Sequence, residues 1–177
     1  MFSIRKAEIS DIPEIERVMR DSIAGISNRT YDPKQVEGAL KFVAHLDQDL
    51  VTDNTYFVVE SDGEIVGCGG WSKRGKLYAG SGSSGGDARL LDPVTEAARV
   101  RAMFVVPRFE RRGIGRLILE RCEDAARGAG FRRVELMAML SGEAMYAACG
   151  YRALENVPAK LEDGTPFPLT RMEKTIA

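Results

Sequence analysis

Cysteine is scarce in this chain. Cys68, Cys122 and Cys149 are odd in number and form no CxxC pair, so neither a disulfide framework nor a metal site is expected. Reduced thiols in a cytoplasmic compartment are the expectation instead. No apolar stretch approaches the roughly 20 residues of a membrane span, and Met1 to Lys6 lacks the long apolar core of a signal peptide. Charge of one sign is not in excess either. With 25 Lys and Arg against 26 Asp and Glu, the formal net charge is −1, and no global basic field points to nucleic acid.

What is present fits one packed α/β unit. At 177 residues with 44% apolar content, the chain is expected to be a single domain over residues 1–177. Phe2 to Lys6 reads as a strand. Asp11-Ile12-Pro13-Glu14 announces a helix, with Asp11 as cap and Glu14 closing a capping box. Asp32-Pro33-Lys34-Gln35 repeats that signal. Thr55 to Glu60 and Ile65 to Ser72 flank Ser61-Asp62-Gly63-Glu64, a strong hairpin signal. Gly67, Gly69 and Gly70 suggest a bulge or a close backbone contact.

The glycine- and serine-rich stretch from Gly75 to Asp87 reads as a flexible loop, with a lid role and chance low complexity both open. Strand Arg99 to Val106, helix Gly115 to Arg127, strand Arg132 to Ala138 and a short helix capped by Ser141 follow. Strands Tyr151 to Leu154 and Pro168 to Lys174 close the chain.

The most informative stretch joins the middle strand to its helix: Phe104-Val105-Val106-Pro107-Arg108-Phe109-Glu110-Arg111-Arg112-Gly113-Ile114-Gly115-Arg116. A helix start offers unpaired N–H groups and the positive end of the macrodipole. Two glycines let a ligand approach that backbone closely. Arg108, Arg111, Arg112 and Arg116 crowd a place where cations are unwelcome, which suggests a bound polyanion. The dinucleotide fingerprint fails, because Ile118 stands where a third glycine belongs, and no Gly-Lys-Ser/Thr phosphate loop occurs.

With Val105-Val106-Pro107 before Arg111-Arg112-Gly113-Ile114-Gly115-Arg116, this order resembles the GNAT superfamily of acyl-CoA-dependent N-acetyltransferases. Ala144-Met145-Tyr146-Ala147-Ala148-Cys149-Gly150-Tyr151 resembles that family's short helix downstream. The family's pyrophosphate motif usually starts with Gln or Arg. Here that position is Glu110, whose side chain is expected to point away, and Arg111 stands where glycine is frequent.

The resemblance implies a mixed, mostly antiparallel, splayed sheet flanked by helices, with acetyl-CoA as cosubstrate and no metal. The backbone of Phe104, Val105 and Val106 would hold the pantetheine arm. Amides and side chains of Arg111, Arg112, Gly113, Ile114, Gly115 and Arg116 would hold the pyrophosphate. The implied reaction moves an acetyl group to a primary amine, on a small molecule or peptide, by direct attack in a ternary complex.

Tyr146 is the candidate proton donor to the departing thiolate: a phenol has an ordinary pKa near 10, above a thiol's near 8.5, and carries a proton at neutral pH. A non-catalytic acyl-CoA sensor on the same fold is the alternative. Relatives are often dimers, and no nucleic acid or membrane partner is expected.

The base is not legible. By alternation Arg99, Arg101, Met103 and Val105 share a face. The two arginines either bind an acceptor anion or pair with Glu60 or Glu135. Asp92 and Glu96 are nearby candidates for the base. His45 and Cys149 read as ordinary packing residues. Trp71 and Tyr78 either line the acceptor pocket or simply pack.

Overall fold

In a computed structural model that describes residues 1–76 and 89–177, seven strands form one sheet in the order β1-β2-β3-β4-β5-β7-β6. They are β1 (Ser3–Lys6), β2 (Tyr56–Ser61), β3 (Glu64–Ser72), β4 (Ala98–Val105), β5 (Arg133–Met139), β6 (Arg152–Val157) and β7 (Leu169–Thr175). The helices are α1 (Ile12–Gly25), α2 (Pro33–Phe42), α3 (Asp49–Thr52), α4 (Ile114–Gly128) and α5 (Glu143–Ala148). Every neighbouring pair is antiparallel except β4 and β5. That is the mixed, mostly antiparallel α/β sheet expected. Tyr78 and most of the glycine- and serine-rich stretch lie outside the described residues.

Local chemistry explains several elements. Asp32 accepts the Gln35 N–H at 2.8 Å and Gln35 Oε1 accepts the Asp32 N–H at 2.9 Å, so α2 opens with the expected capping box. Asp62 (φ 52°) and Gly63 (φ 81°) both take positive φ, as a two-residue hairpin turn requires.

α1 starts differently. Asp11 Oδ2 accepts the Glu8 N–H at 2.8 Å, and its carboxylate is clasped by both Arg5 terminal nitrogens at 2.8 and 3.0 Å. A bidentate, charge-assisted pair is stronger than a cap bond, so Asp11 serves the preceding turn. Glu14 closes no box; its Oε1 accepts the Ile65 N–H at 3.1 Å and ties α1 to β3. At α5 the N-cap is Gly142, not Ser141.

Two apolar layers flank the sheet. Ile15, Val18, Met19 and Ile23 of α1 pack on one face. Ile114, Ile118, Leu119 and Cys122 of α4 pack on the other against Val66, Val100 and Leu136. The glycines of β3 permit this approach: a Cβ at Gly67 would lie 2.5 Å from Ile114 Cγ2, and one at Gly69 would lie 2.8 Å from Ile118 Cγ2.

One bulge reorganises β4. Its register against β3 steps from Gly70↔Arg101 to Cys68↔Phe104, and Ala102 adopts φ 54°. A one-residue slip moves every later side chain to the other face. Met103 and Val105 therefore pack with the α4 layer, while Ala102 and Phe104 belong to the α1 layer. The expected shared face of Arg99, Arg101, Met103 and Val105 ends at this point.

Candidate active site

β4 and β5 meet through two registered pairs, Ala98↔Val134 and Arg99↔Glu135, and carry no ladder beyond them. A cavity of about 680 Å³ lies where the strands separate, lined by Val100 to Val105 on one side and Leu136, Met137 and Met139 on the other. It reaches Gly113, Ile114, Gly115 and Arg116 at the start of α4.

That helix start has the anticipated geometry. Gly113 is the N-cap at φ 84° with no side-chain cap, and the first paired amide is Leu117, which donates to the Gly113 carbonyl at 2.9 Å. Among the described residues the amides from Arg111 to Arg116 have no acceptor. A Cβ at Gly113 would meet nothing within 4 Å, so open space lies before the turn. Arg111 takes φ 58°, the left-handed region that glycine enters without cost.

The arginines divide into two pairs. Arg111 and Arg116 line the cavity and have no ion-pair partner among the described residues. Arg108 pairs with Glu64 at 2.6 Å, and Arg112 lies over the Phe109 ring at 4.9 Å; neither lines the cavity. Phe104 and Val105 line it, whereas Val106 turns its N–H to the Val66 carbonyl at 2.9 Å and does not. Glu110 faces the cavity, contrary to expectation. Its Oε2 accepts from Arg29 Nη1 at 2.9 Å, and its Oε1 is buried without a partner. The arginine from the α1–α2 connection neutralises the carboxylate and allows it to face inward.

Tyr146 lines the same cavity at 8% exposure, edge-on to Tyr151 at 6.0 Å. Burial, with lesser contributions from the Cys122 and Cys149 thiols, raises its pKa well above the usual phenol value. The cavity lining brings together groups distant in sequence. His45, Asp47, Arg101, Leu161 and Phe167 all line the cavity. The His45 Nε2 lies 2.8 Å from the Lys41 carbonyl; a carbonyl only accepts, so this nitrogen carries the proton and Nδ1 keeps a free lone pair.

Asp47 Oδ2 accepts from Arg101 Nη1 at 3.0 Å and Lys76 Nζ at 3.3 Å. Burial pushes the Asp47 carboxyl up, but Arg101, the Asp49 N–H and Lys76 outweigh it and hold it below the ordinary carboxylate range. Arg99 pairs with Glu135 at 3.1 Å.

The other candidates lie elsewhere. Trp71 packs edge-on to Phe131 in the α4 layer. Glu96 pairs with Arg89, whose hydrogen bonds hold its carboxyl down to about 2, and Asp92 caps its own turn. Neither lines the cavity. Cys149 does line it, with its thiol 3.8 Å from Met145 Sδ.

The profile of the acetyltransferase (GNAT) family matches residues 21–151. The chain belongs to that family. Solved GNAT structures share its fold. A GCN5-related N-acetyltransferase of Rhodopseudomonas palustris has a TM-score of 0.71 at 16% identity, covering 98% of this chain and 94% of its own. The PaiA N-acetyltransferase of Thermoplasma acidophilum, in complex with coenzyme A, has 0.69 at 16%, covering 99% of each chain. The yncA protein of Salmonella typhimurium, with its cofactor acetyl-CoA, has 0.65 at 17%, covering 100% and 95%. No curated protein sequence matches the chain.

Proposed function

We propose that this GNAT chain transfers the acetyl group of acetyl-CoA to a primary amine, on a small molecule or peptide, by direct attack while both are bound. The observation that carries this reading is the run of free amides from Arg111 to Arg116, open to a cavity that follows the unpaired edge of β4. The amides and the Arg111 and Arg116 guanidiniums fit a pyrophosphate. The β4 edge at Phe104 and Val105 fits the amide groups of a pantetheine arm. The coenzyme A and acetyl-CoA in the Thermoplasma and Salmonella structures agree with this assignment.

The chemistry needs an amine without its extra proton, a polarised thioester carbonyl and a stabilised thiolate. Tyr146 serves the last. Its raised pKa keeps the proton on the phenol, and on ordinary values a thiolate would not take it. The hydroxyl therefore acts first as a hydrogen-bond donor to the building charge. The thiolate then leaves as the anion and takes its proton from solvent. On the acceptor side, the His45 Nδ1 lone pair takes the proton of the amine.

Calorimetry with coenzyme A and acetyl-CoA, followed by thiol release over an amine panel, tests the proposal. Binding in the micromolar to millimolar range typical of enzyme substrates, about 1 μM–1 mM, is expected. Folded protein that binds neither form overturns it. Tight binding with no thiol released by any amine assigns the sensor role instead. His45→Gln should lower the rate of thiol release and leave coenzyme A affinity unchanged.

A further inference from the structure

Arg101 is buried in a way its own partners do not explain. Its side chain is 4% exposed and lines the cavity. Nη1 donates to Asp47 Oδ2 at 3.0 Å. Among the described residues Nε is buried with no partner, and Nη2 donates no hydrogen bond either. Those two nitrogens form the side edge of the guanidinium, the fork that matches two carboxylate oxygens. An orphaned buried donor costs free energy until something accepts from it.

The local charge count points the same way. Asp47 is shared between Arg101 and Lys76, and its Oδ1 already accepts the Asp49 N–H at 3.1 Å. Among the described residues two cations therefore share one carboxylate. Arg99, next on the same face, has Glu135 to itself. The excess of one positive charge suits a single negative charge on a ligand; a phosphate dianion would leave one charge uncompensated.

Position separates this cation from the turn that opens α4. Across the bulge Arg101 pairs with Gly70 and Val105 with Gly67, three residues along β3, roughly 10 Å. The cavity lining is mixed: Met19, Met137, Leu161 and Phe167 are apolar, and His45 and Lys160 are polar.

We infer that Arg101 anchors a carboxylate on the acceptor, so that this site takes carboxylate-bearing amines with an apolar body, such as apolar amino acids. The inference rests on the acetyl-transfer reading and deepens it.

Matched amine pairs that differ only in the carboxylate test it: L-leucine against isoamylamine, L-methionine against 3-(methylthio)propylamine, L-phenylalanine against 2-phenylethylamine. Phosphoethanolamine supplies the phosphate comparison. The carboxylate member of at least one pair should show kcat/KM higher by about tenfold or more, one bidentate interaction's worth.

Arg101→Lys keeps a cation for Asp47 and removes the fork. It should erase that preference, the carboxylate member losing about tenfold more kcat/KM than its carboxylate-free partner. Should Arg101→Lys fail to fold, Arg101→Gln with Asp47→Asn removes the fork as a neutral pair. Equal or better turnover of every carboxylate-free partner, preference for phosphoethanolamine, or equal loss of both members in the variant overturns the inference.

Calorimetry of the N-acetylated products on protein loaded with coenzyme A gives a readout without turnover. N-acetyl-L-leucine should bind and N-isoamylacetamide should bind more weakly. If no amine releases thiol yet this preference holds, the transfer reading fails and the anchor stands. If neither product binds, or both bind equally, the anchor falls.

Discussion

Arg29 Nη1 holds Glu110 Oε2 at 2.9 Å beside the turn that opens α4. The pair joins the α1–α2 connection to the proposed anion site, and it keeps a carboxylate beside the free amides there. Arg29→Ala should leave that carboxylate uncompensated and lower coenzyme A affinity by about three- to tenfold, in line with roughly 1 kcal/mol for a partly exposed pair. Glu110→Gln should raise affinity by a similar factor. The double variant should return close to wild type, and a double-mutant cycle by calorimetry reads the coupling.

The turn itself separates backbone strain from ligand contact. Arg111 holds φ 58°, at a cost of about 1 kcal/mol for a residue with a Cβ. Arg111→Gly should raise Tm by about 2–4 °C and still weaken coenzyme A binding, since a guanidinium is lost. Gly113→Asp should lower both stability and binding. Its φ of 84° suits aspartate poorly, so Tm drops by a few degrees, while the added charge beside the free amides should abolish coenzyme A binding. Normal binding by this variant would move the anion site elsewhere.

For Tyr146→Phe, the kcat for thiol release should fall by about 100-fold, the low end for a general acid. Coenzyme A affinity should not change. Because burial raises the phenol pKa above its usual value, Tyr146 stays protonated across the working range. The wild-type rate should show no loss from its ionisation below about pH 10.

Glu123 is 5% exposed on α4, and its carboxylate accepts from Lys174 Nζ at 2.8 and 3.0 Å and from the Tyr151 hydroxyl at 3.1 Å. Lys174→Met should strand a buried charge and lower stability by about 3 kcal/mol. Adding Glu123→Gln should recover most of the loss, because the amide still serves Tyr151. Chemical denaturation measures both.

Asp11 is held below the usual carboxylate range by the Arg5 hydrogen bonds and the Glu8 N–H, against opposing burial. A depressed native value makes its stabilisation complete above the unfolded pKa of about 4, and lost as pH falls through the native one. Asp11→Asn should lower stability at neutral pH and flatten its slope below about pH 4 in urea titrations.

What was legible in the sequence was local. Asp32 and Gln35 lie three residues apart and cap α2 as expected, Asp62-Gly63 turns the hairpin, and Gly113 and Gly115 mark the α4 start. Each is a short-range device with a fixed geometric requirement.

The failures are long-range or unsignalled. Ala102 takes positive φ with no glycine to announce it, and that one residue reverses the face of everything after it in β4. Asp11 carries every mark of a cap, but Arg5 claims it. Asp47 and Arg101, 54 positions apart, and the Glu110 partner Arg29 come together only through the packing of the α1–α2 region on the sheet. His45 reaches the cavity wall by the same route.

The two registered pairs between β4 and β5 leave this sheet with a rim in its middle, not only at its borders. A rim of open peptide groups templates whatever extended, amide-bearing strip lies along it. The fold is thus two half-sheets sewn together by a short seam at Ala98 and Arg99, and a thread laid in the gap completes the stitching. Seating such a thread braces the halves against each other, so stiffness and recognition become one property of the molecule.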